Sequence, residues 1–359
     1  MTPRLPHRIG SLSALFLCVS ALAPAAAHAG YGDVVDGYPS WAERDLHIWT
    51  NAVRVAPEEF SAEYEAGGCT FDSFEPGEKL VQNILYFDAG LCEASRFHCE
   101  DMESNDHFAH ESSDGTSFFD RVSRWYTEGG VGENIAYGYG DGYVTVMQGW
   151  MCSAGHRENI MRGSFNELGG GVSGTYYTQD FGGGAPNWEQ PMAMGSHSPG
   201  EATDGATFLA DWQDAEAPAS FVVVIDGNPN ALALLHGAPE QGIYSADVTP
   251  ASADCHEYYF AWTDSQGAEA SFPEEGSYQY GKDCGDALWV DGHKGEVGGT
   301  PDGGDDGDGG TEPTADFPFA GSEGTEGESP KLVGCASAAL GSSGVLALLG
   351  LAMVGRRRA

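Results

Sequence analysis

Apolar residues first recur at helical spacing at Leu46, Trp49, Val53 and Ala56, and Pro57 ends the run. The same spacing predicts a second helix through Leu91, Ala94, Ser95, His98 and Met102. Residues 120–125 read as a third, short helical piece. Asp141 is a good N-cap for a helix over 142–151, with Val144, Met147 and Met151 on one face. Ser153 is placed to cap the next helical stretch, 154–161. The period then changes to two. Residues 168–173 and 175–181 predict a hairpin turning at Gly174. In its second strand Tyr177, Gln179 and Phe181 share one face, and Tyr176, Thr178 and Asp180 share the other. Helices around a small sheet make residues 40–185 an α+β unit, not an alternating parallel one.

Residues 205–290 carry a different pattern. Short strands at 220–225, 242–248 and 257–262, with turns at Asp226-Gly227 and 264–267, predict a small all-β sandwich. Residues 291–331 are Gly, Asp, Glu, Thr and Pro with few apolar positions, which predicts a flexible acidic linker. Its acidic run 302–308 lacks the twelfth-position Glu and the flanking helices of a calcium loop, and is read as solvated linker. The two ends read as export signals. Arg4 and Arg8, an apolar stretch over 12–23 and Ala27-His28-Ala29 make residues 1–29 a secretory signal peptide cleaved after Ala29. At the other end Gly334-Cys335 precedes an apolar run over 336–355 and then Arg356, Arg357 and Arg358. Such a run can just span a bilayer as a helix, with the arginines on the cytoplasmic side. This tail, 334–359, resembles the MYXO-CTERM sorting tail of myxobacterial surface proteins, which implies cleavage near Cys335 during sorting to the cell surface.

Composition narrows the partners. With 54 acidic and 16 basic residues the formal net charge is −38. That excludes a nucleic-acid binder relying on a basic footprint, and disfavours anionic lipid surfaces. Of the eight cysteines, Cys18 lies in the leader and Cys335 in the tail. An even set remains, which in an exported chain points to disulfides. Cys255 and Cys284, set apart from the others, are expected to pair. Cys69, Cys92, Cys99 and Cys152 allow three connectivities, and their spacing fits no zinc site.

Candidate chemistry clusters in the first unit. His107-Phe108-Ala109-His110 precedes a turn cluster at 112–115, and Gly132-Glu133-Asn134-Ile135 enters apolar sequence. Trp150-Met151-Cys152-Ser153-Ala154-Gly155-His156-Arg157-Glu158-Asn159-Ile160 follows. A histidine and a glutamate brought together could hold a divalent metal or act as acid and base, but spacing alone does not bring them together. Each also has a structural reading: Glu133 fixing its own loop, Asn134 supporting a turn, Arg157 pairing with Glu158 or a buried carboxylate, Trp150 in the core.

These motifs, in this order, with Asn51-x-x-Arg54 before them and Tyr177-Thr178-Gln179-x-Phe181 after, resemble bacterial CAP (SCP-like) domains of the cysteine-rich secretory, antigen 5, pathogenesis-related superfamily. The resemblance covers residues 40–185 and implies a three-layer α-β-α sandwich with an open cleft. It implies cleft residues His110, Glu133, Ser153, His156 and Tyr176. Eukaryotic relatives hold zinc or magnesium there on two His and two Glu. His110 and Glu133 match one of each, whereas Ser153 and Tyr176 stand where the other Glu and His belong. His156 is the residue that could complete a metal set with His110 and Glu133. What the resemblance implies is an exported, surface-displayed binding or interaction module without an established reaction. Its partner would be an extracellular small molecule, a lipid or a cell-surface component. Two alternatives are a peptidase-like hydrolase using the metal set or Ser153 with His156, and a structural spacer with a vestigial cleft. No His-Glu-x-x-His or Gly-x-Ser-x-Gly motif supports hydrolysis.

Overall fold

A computed structural model describes residues 30–60, 74–186, 190–200, 205–250, 252–285 and 288–293, and the backbone of 331–332 and 336–338. The expected signal peptide with Ala29, residues 294–330 of the expected linker, and Gly334 and Cys335 lie outside the described residues, as does Cys69. Among the described residues no helix is long and apolar enough to cross a membrane.

Helix α1 (Trp41–Val55) starts on a reciprocal cap: the Glu43 amide donates to Ser40 Oγ, and the Ser40 amide donates to Glu43 Oε2 at 2.8 Å. Strand β1 (Tyr86–Phe87) leads into α2 (Ala89–Ser104), capped by Asp88, and α3 (Phe118–Val122) follows. Strand β2 (Val131–Tyr137) comes next. Asp141 caps the following run, as its sequence predicts, with Val144 N donating to Oδ1 at 2.7 Å. That run is not one α-helix. It changes from α (Gly142–Val144) to π (Thr145–Gly149) to 3-10 geometry (Trp150–Cys152). Gly149 departs from helical dihedrals beside the Tyr139 ring, which leaves no room for a Cβ there. Helix α4 (Ala154–Ile160) leads to the predicted hairpin, β3 (Glu167–Ser173) and β4 (Tyr176–Gly182).

The four strands stand in the order β1-β3-β4-β2. Strands β1 and β3 are parallel, and the other pairs are antiparallel. Helices cover both faces, and three consecutive glycines of β3 make this possible. A Cβ at Gly169 or Gly171 would come within 2.1 or 2.3 Å of α2 backbone, and one at Gly170 would meet Leu46 of α1 at 3.2 Å. Only a strand without side chains lets α2 approach so closely.

The all-β unit begins at β5 (Gly195–Ser198), ahead of the expected boundary at 205. Strands β6 (Ala206–Gln213), β9 (Ala233–Ala238) and β10 (Gln241–Val248) complete a sheet of order β5-β6-β10-β9. The second sheet contains β7 (Ser220–Ile225), β8 (Asn228–Ala231), β11 (His256–Thr263), β12 (Glu269–Phe272), β13 (Gly276–Tyr280) and β14 (Trp289–Asp291). Asp226 and Gly227, both at positive φ, make the two-residue turn between β7 and β8. Cys255 and Cys284 are bonded, as expected. The other cysteine expectation is corrected. Cys92 and Cys99 are buried and unbridged, so none of the three connectivities holds. Seven residues of helix separate them by about 10 Å of rise, too far for a disulfide.

The two units share one core. Leu46, Ile48 and Trp49 of α1 belong to the same buried cluster as Phe208, Trp212 and Phe260 of the β-sandwich. Every residue from 43 to 55 is buried, because α1 lies between the first sheet and the sandwich. Its polar side chains are used there. Asn51 Nδ2 donates to Asp211 Oδ2 at 2.7 Å, Trp41 Nε1 donates to His197 O at 2.8 Å, and the Arg44 guanidinium lies 3.8 Å from the centre of the Tyr278 ring.

Candidate functional site

Strand alternation sets which side chains meet. Strands β2 and β4 pair with Glu133 opposite Asp180, Ile135 opposite Thr178 and Tyr137 opposite Tyr176. All six face α2, where Cys99 Sγ lies 3.1 Å from Thr178 Oγ1 and Ser95 Oγ donates to Asp180 Oδ2 at 2.9 Å. The intervening residues face α1 and α4. There Asn134 Nδ2 donates to His156 O and to Gln179 Oε1, both at 3.1 Å, and Gln179 Nε2 donates to Thr50 Oγ1 at 2.6 Å.

The expected cleft residues therefore divide between two faces. His110 and Glu133 come together: His110 Nδ1 donates to Glu133 Oε1 at 2.7 Å. The second oxygen, Oε2, is held by the Arg121 guanidinium from α3. Arg121 also donates to His110 O at 2.9 Å, so it ties the loop and the strand together. Glu133 and Arg121 are wholly buried, while the His110 side chain keeps 15% of its surface exposed. Tyr176 sits further along the same face, in an aromatic trio with Tyr137 at 4.6 Å and Phe108 at 6.4 Å between ring centres. Ser153 and His156 lie on the other face. Ser153 occupies the N-cap position of α4, yet its side chain makes no capping bond. Its Oγ instead shares a 2.7 Å hydrogen bond with His156 Nδ1. Arg157 finds a buried carboxylate, Glu78, at 3.0 Å, not its neighbour Glu158.

The electrostatics assign the charges. Burial would raise the Glu133 carboxyl, but the Arg121 charge and the hydrogen bond from His110 hold Glu133 below the usual range. Asp180 is pushed far up, by burial and then by the Glu133 charge, so it stays protonated. Burial lowers His98 to about 4 and keeps it neutral. The face thus holds one carboxylate, one arginine and a neutral carboxylic acid. Arg121, Asp180 and His98 were not read from the sequence as site residues. Asp180 had a signal, since alternation places it on the Tyr176 face. Arg121 had none of its own: a glutamate in an apolar strand requires a cationic partner, but the sequence does not single out which cation supplies it.

This donor set does not fit zinc or magnesium. Both Glu133 oxygens are engaged, one by a guanidinium whose positive charge opposes a second cation. His156 belongs to the opposite face, so it does not complete a set with His110 and Glu133. Among the described residues no group of three His, Cys, Asp or Glu converges to hold a metal ion.

Residues 50–185 match the cysteine-rich secretory protein family, CAP. The uncharacterized membrane protein YlbC of Bacillus subtilis is 40% identical over 98 residues, covering 27% of this chain and 28% of that protein. The uncharacterized protein YkwD of the same organism is 33% identical over 146 residues, covering 40% of this chain and 54% of that protein. The chain thus spans about a quarter and about half of the lengths of these relatives. Among solved structures, an extracellular SCP-domain protein from Bacillus anthracis shows 28% identity at a TM-score of 0.27, covering 37% of this chain and 40% of that one. A cysteine-rich secretory protein from Staphylococcus aureus shows 18% identity at a TM-score of 0.27, covering 40% of each chain. The family match falls on the segment that carries the motifs, and residues 50–185 are a CAP domain.

Proposed function

We propose that the chain is an exported bacterial CAP-domain protein that binds an extracellular small molecule or lipid and catalyses no reaction at the His110–Glu133 site. The observation that carries this reading is the closed bonding of Glu133. A carboxylate held by a buried arginine and a histidine is neither a free general base nor a metal ligand. Its work is to fix the His107–His110 loop against the sheet. The neighbouring aromatic trio of Phe108, Tyr137 and Tyr176 then offers an apolar wall beside the partly exposed His110 imidazole. The leader and the tail, with their arginines at opposite ends, fit export and retention at the envelope.

The test uses the full chain with two probes, a fluorogenic peptide and a p-nitrophenyl acyl ester. No turnover above that of a Glu133→Gln variant is expected, with or without added zinc or magnesium. Turnover lost on Glu133→Gln or His110→Ala in a folded variant would overturn the reading. In parallel, single-chain fatty acids are titrated while tyrosine fluorescence is followed. A saturable change that disappears in Tyr176→Ala is the expected result.

One observation favours a second reading. The bond between Ser153 and His156 is that of a nucleophile and its base, and Ser153 is not occupied as a cap. Ester turnover abolished by Ser153→Ala but untouched by Glu133→Gln would establish this hydrolase reading instead.

A further inference from the structure

Strand β2 ends the β1-β3-β4-β2 order, and its outer backbone edge is covered by the C-terminal segment of the chain itself. Strands β15 (Lys331–Leu332) and β16 (Ala336–Ala338) both pair with it antiparallel. Lys331 stands opposite Tyr137 and Leu332 opposite Ala136. Ala336, Ser337 and Ala338 stand opposite Glu133, Gly132 and Val131. From Leu332 to Ala336 the tail advances four positions while β2 covers three, from Ala136 to Glu133.

The sequence of β2 explains why this edge needs a cover. It reads Val-Gly-Glu-Asn-Ile-Ala-Tyr, without the proline, lysine or arginine that protects a bare edge. Its one charge, Glu133, points into the sheet face and is neutralised there by Arg121. The occupant is also suited to the place. Ala336, Ser337 and Ala338 are small, and Ser337 falls opposite Gly132.

We propose that the outer edge of β2 is a strand-acceptor site for an extended peptide, and that residues 331–332 and 336–338 are its resident occupant in the unprocessed chain. Recognition is through main-chain hydrogen bonds, as in other complexes that add a strand to a sheet. The acidic stretch 294–330 tethers this occupant to the rest of the chain. Because the strand is tethered, its local concentration is in the millimolar range, and lengthening the loop costs little. The ligand-binding reading of the His110 face does not depend on this inference.

The test is made on the full chain in detergent. Successive residues of a strand direct their amides to opposite edges, so prolines at two adjacent positions must remove one bond to β2. In a Ser337→Pro/Ala338→Pro variant, the β2 amides not bonded to β4 are expected to exchange about tenfold faster or more, while α2 amides keep their protection. Adding a synthetic peptide of residues 329–340 at millimolar concentration restores the slow exchange. Unchanged β2 exchange in the variant overturns the proposal. A second measurement needs no substitution: cross-strand Hα–Hα contacts between 336–338 and 131–133 are expected in the magnetic resonance spectrum of the unsubstituted chain. Their absence overturns the proposal even if the variant loosens the whole sheet.

Discussion

Glu133, Arg121, His110 and Asp180 form a buried polar group in which only one carboxyl is charged. Removing one partner of a buried ion pair leaves an uncompensated charge, whereas altering a neutral member does not. Arg121→Ala is therefore expected to cost about 3–5 kcal/mol in urea unfolding. Asp180→Asn, which replaces a protonated acid by an amide of the same shape, is expected to stay within about 1 kcal/mol of the unsubstituted chain. Equal costs for the two would show that the charge sits elsewhere. Glu133 and His110 were legible because they lie in compact motifs. Their contact was not, because it crosses from a loop to a strand over twenty-three positions. Arg121 was harder still: in sequence it is one more charge on a short helical piece, and only the fold turns it inward.

The three-glycine run in β3 is the clearest case of sequence acting through an element. Gly169 and Gly171 face α2 and Gly170 faces α1, at different clearances. An added methyl at Gly169 or Gly171 meets α2 backbone, which cannot rotate away, and should destabilise by about 1–3 kcal/mol or more. At Gly170 it meets the end of the Leu46 side chain, which can shift, so Gly170→Ala should be the mildest of the three. Melting temperatures of the three single variants check this order, and a larger loss at Gly170 would contradict the layer arrangement. Most elements were legible. Period and caps located α1, α2, the hairpin and three sandwich strands, because each follows local rules. The helix expected over 142–151 broke into three geometries because Gly149 packs against Tyr139, and no local pattern encodes that contact. Ser153 likewise has the right residue type for a cap, yet it bonds to His156.

Across the whole molecule, what the sequence did not reveal is that the sandwich docks on α1. Only the apolar stripe of that helix is legible in the sequence, and Arg44, Asn51 and Trp41 meet the second unit. One shared core predicts one cooperative unfolding transition, with Asn51→Ala lowering its midpoint for both units together. Two separate transitions in calorimetry would refute this. Asp211, the partner of Asn51, adds a dependence on pH. Burial raises its carboxyl to about 7. The folded chain keeps a proton there that the unfolded chain releases above about 4. Its contribution is complete below the unfolded value and is lost as pH rises towards 7, a range worth about 4 kcal/mol. The gap in melting temperature between the unsubstituted chain and Asp211→Asn should therefore widen as pH falls from 7 to 4, and a constant gap would count against a buried proton. The placement of α1 also bears on how the molecule is made. A polypeptide emerges N-terminus first, at about 5–20 residues per second. The helix that opens the fold must wait for Trp212, Tyr258 and Tyr278 before its outer side is covered. Over that interval, on the order of ten to fifty seconds, its apolar residues stand open to solvent or to a chaperone. Biosynthesis of this protein is thus most vulnerable at its first helix, and a holdase that recognises residues 41–55 would be its natural escort.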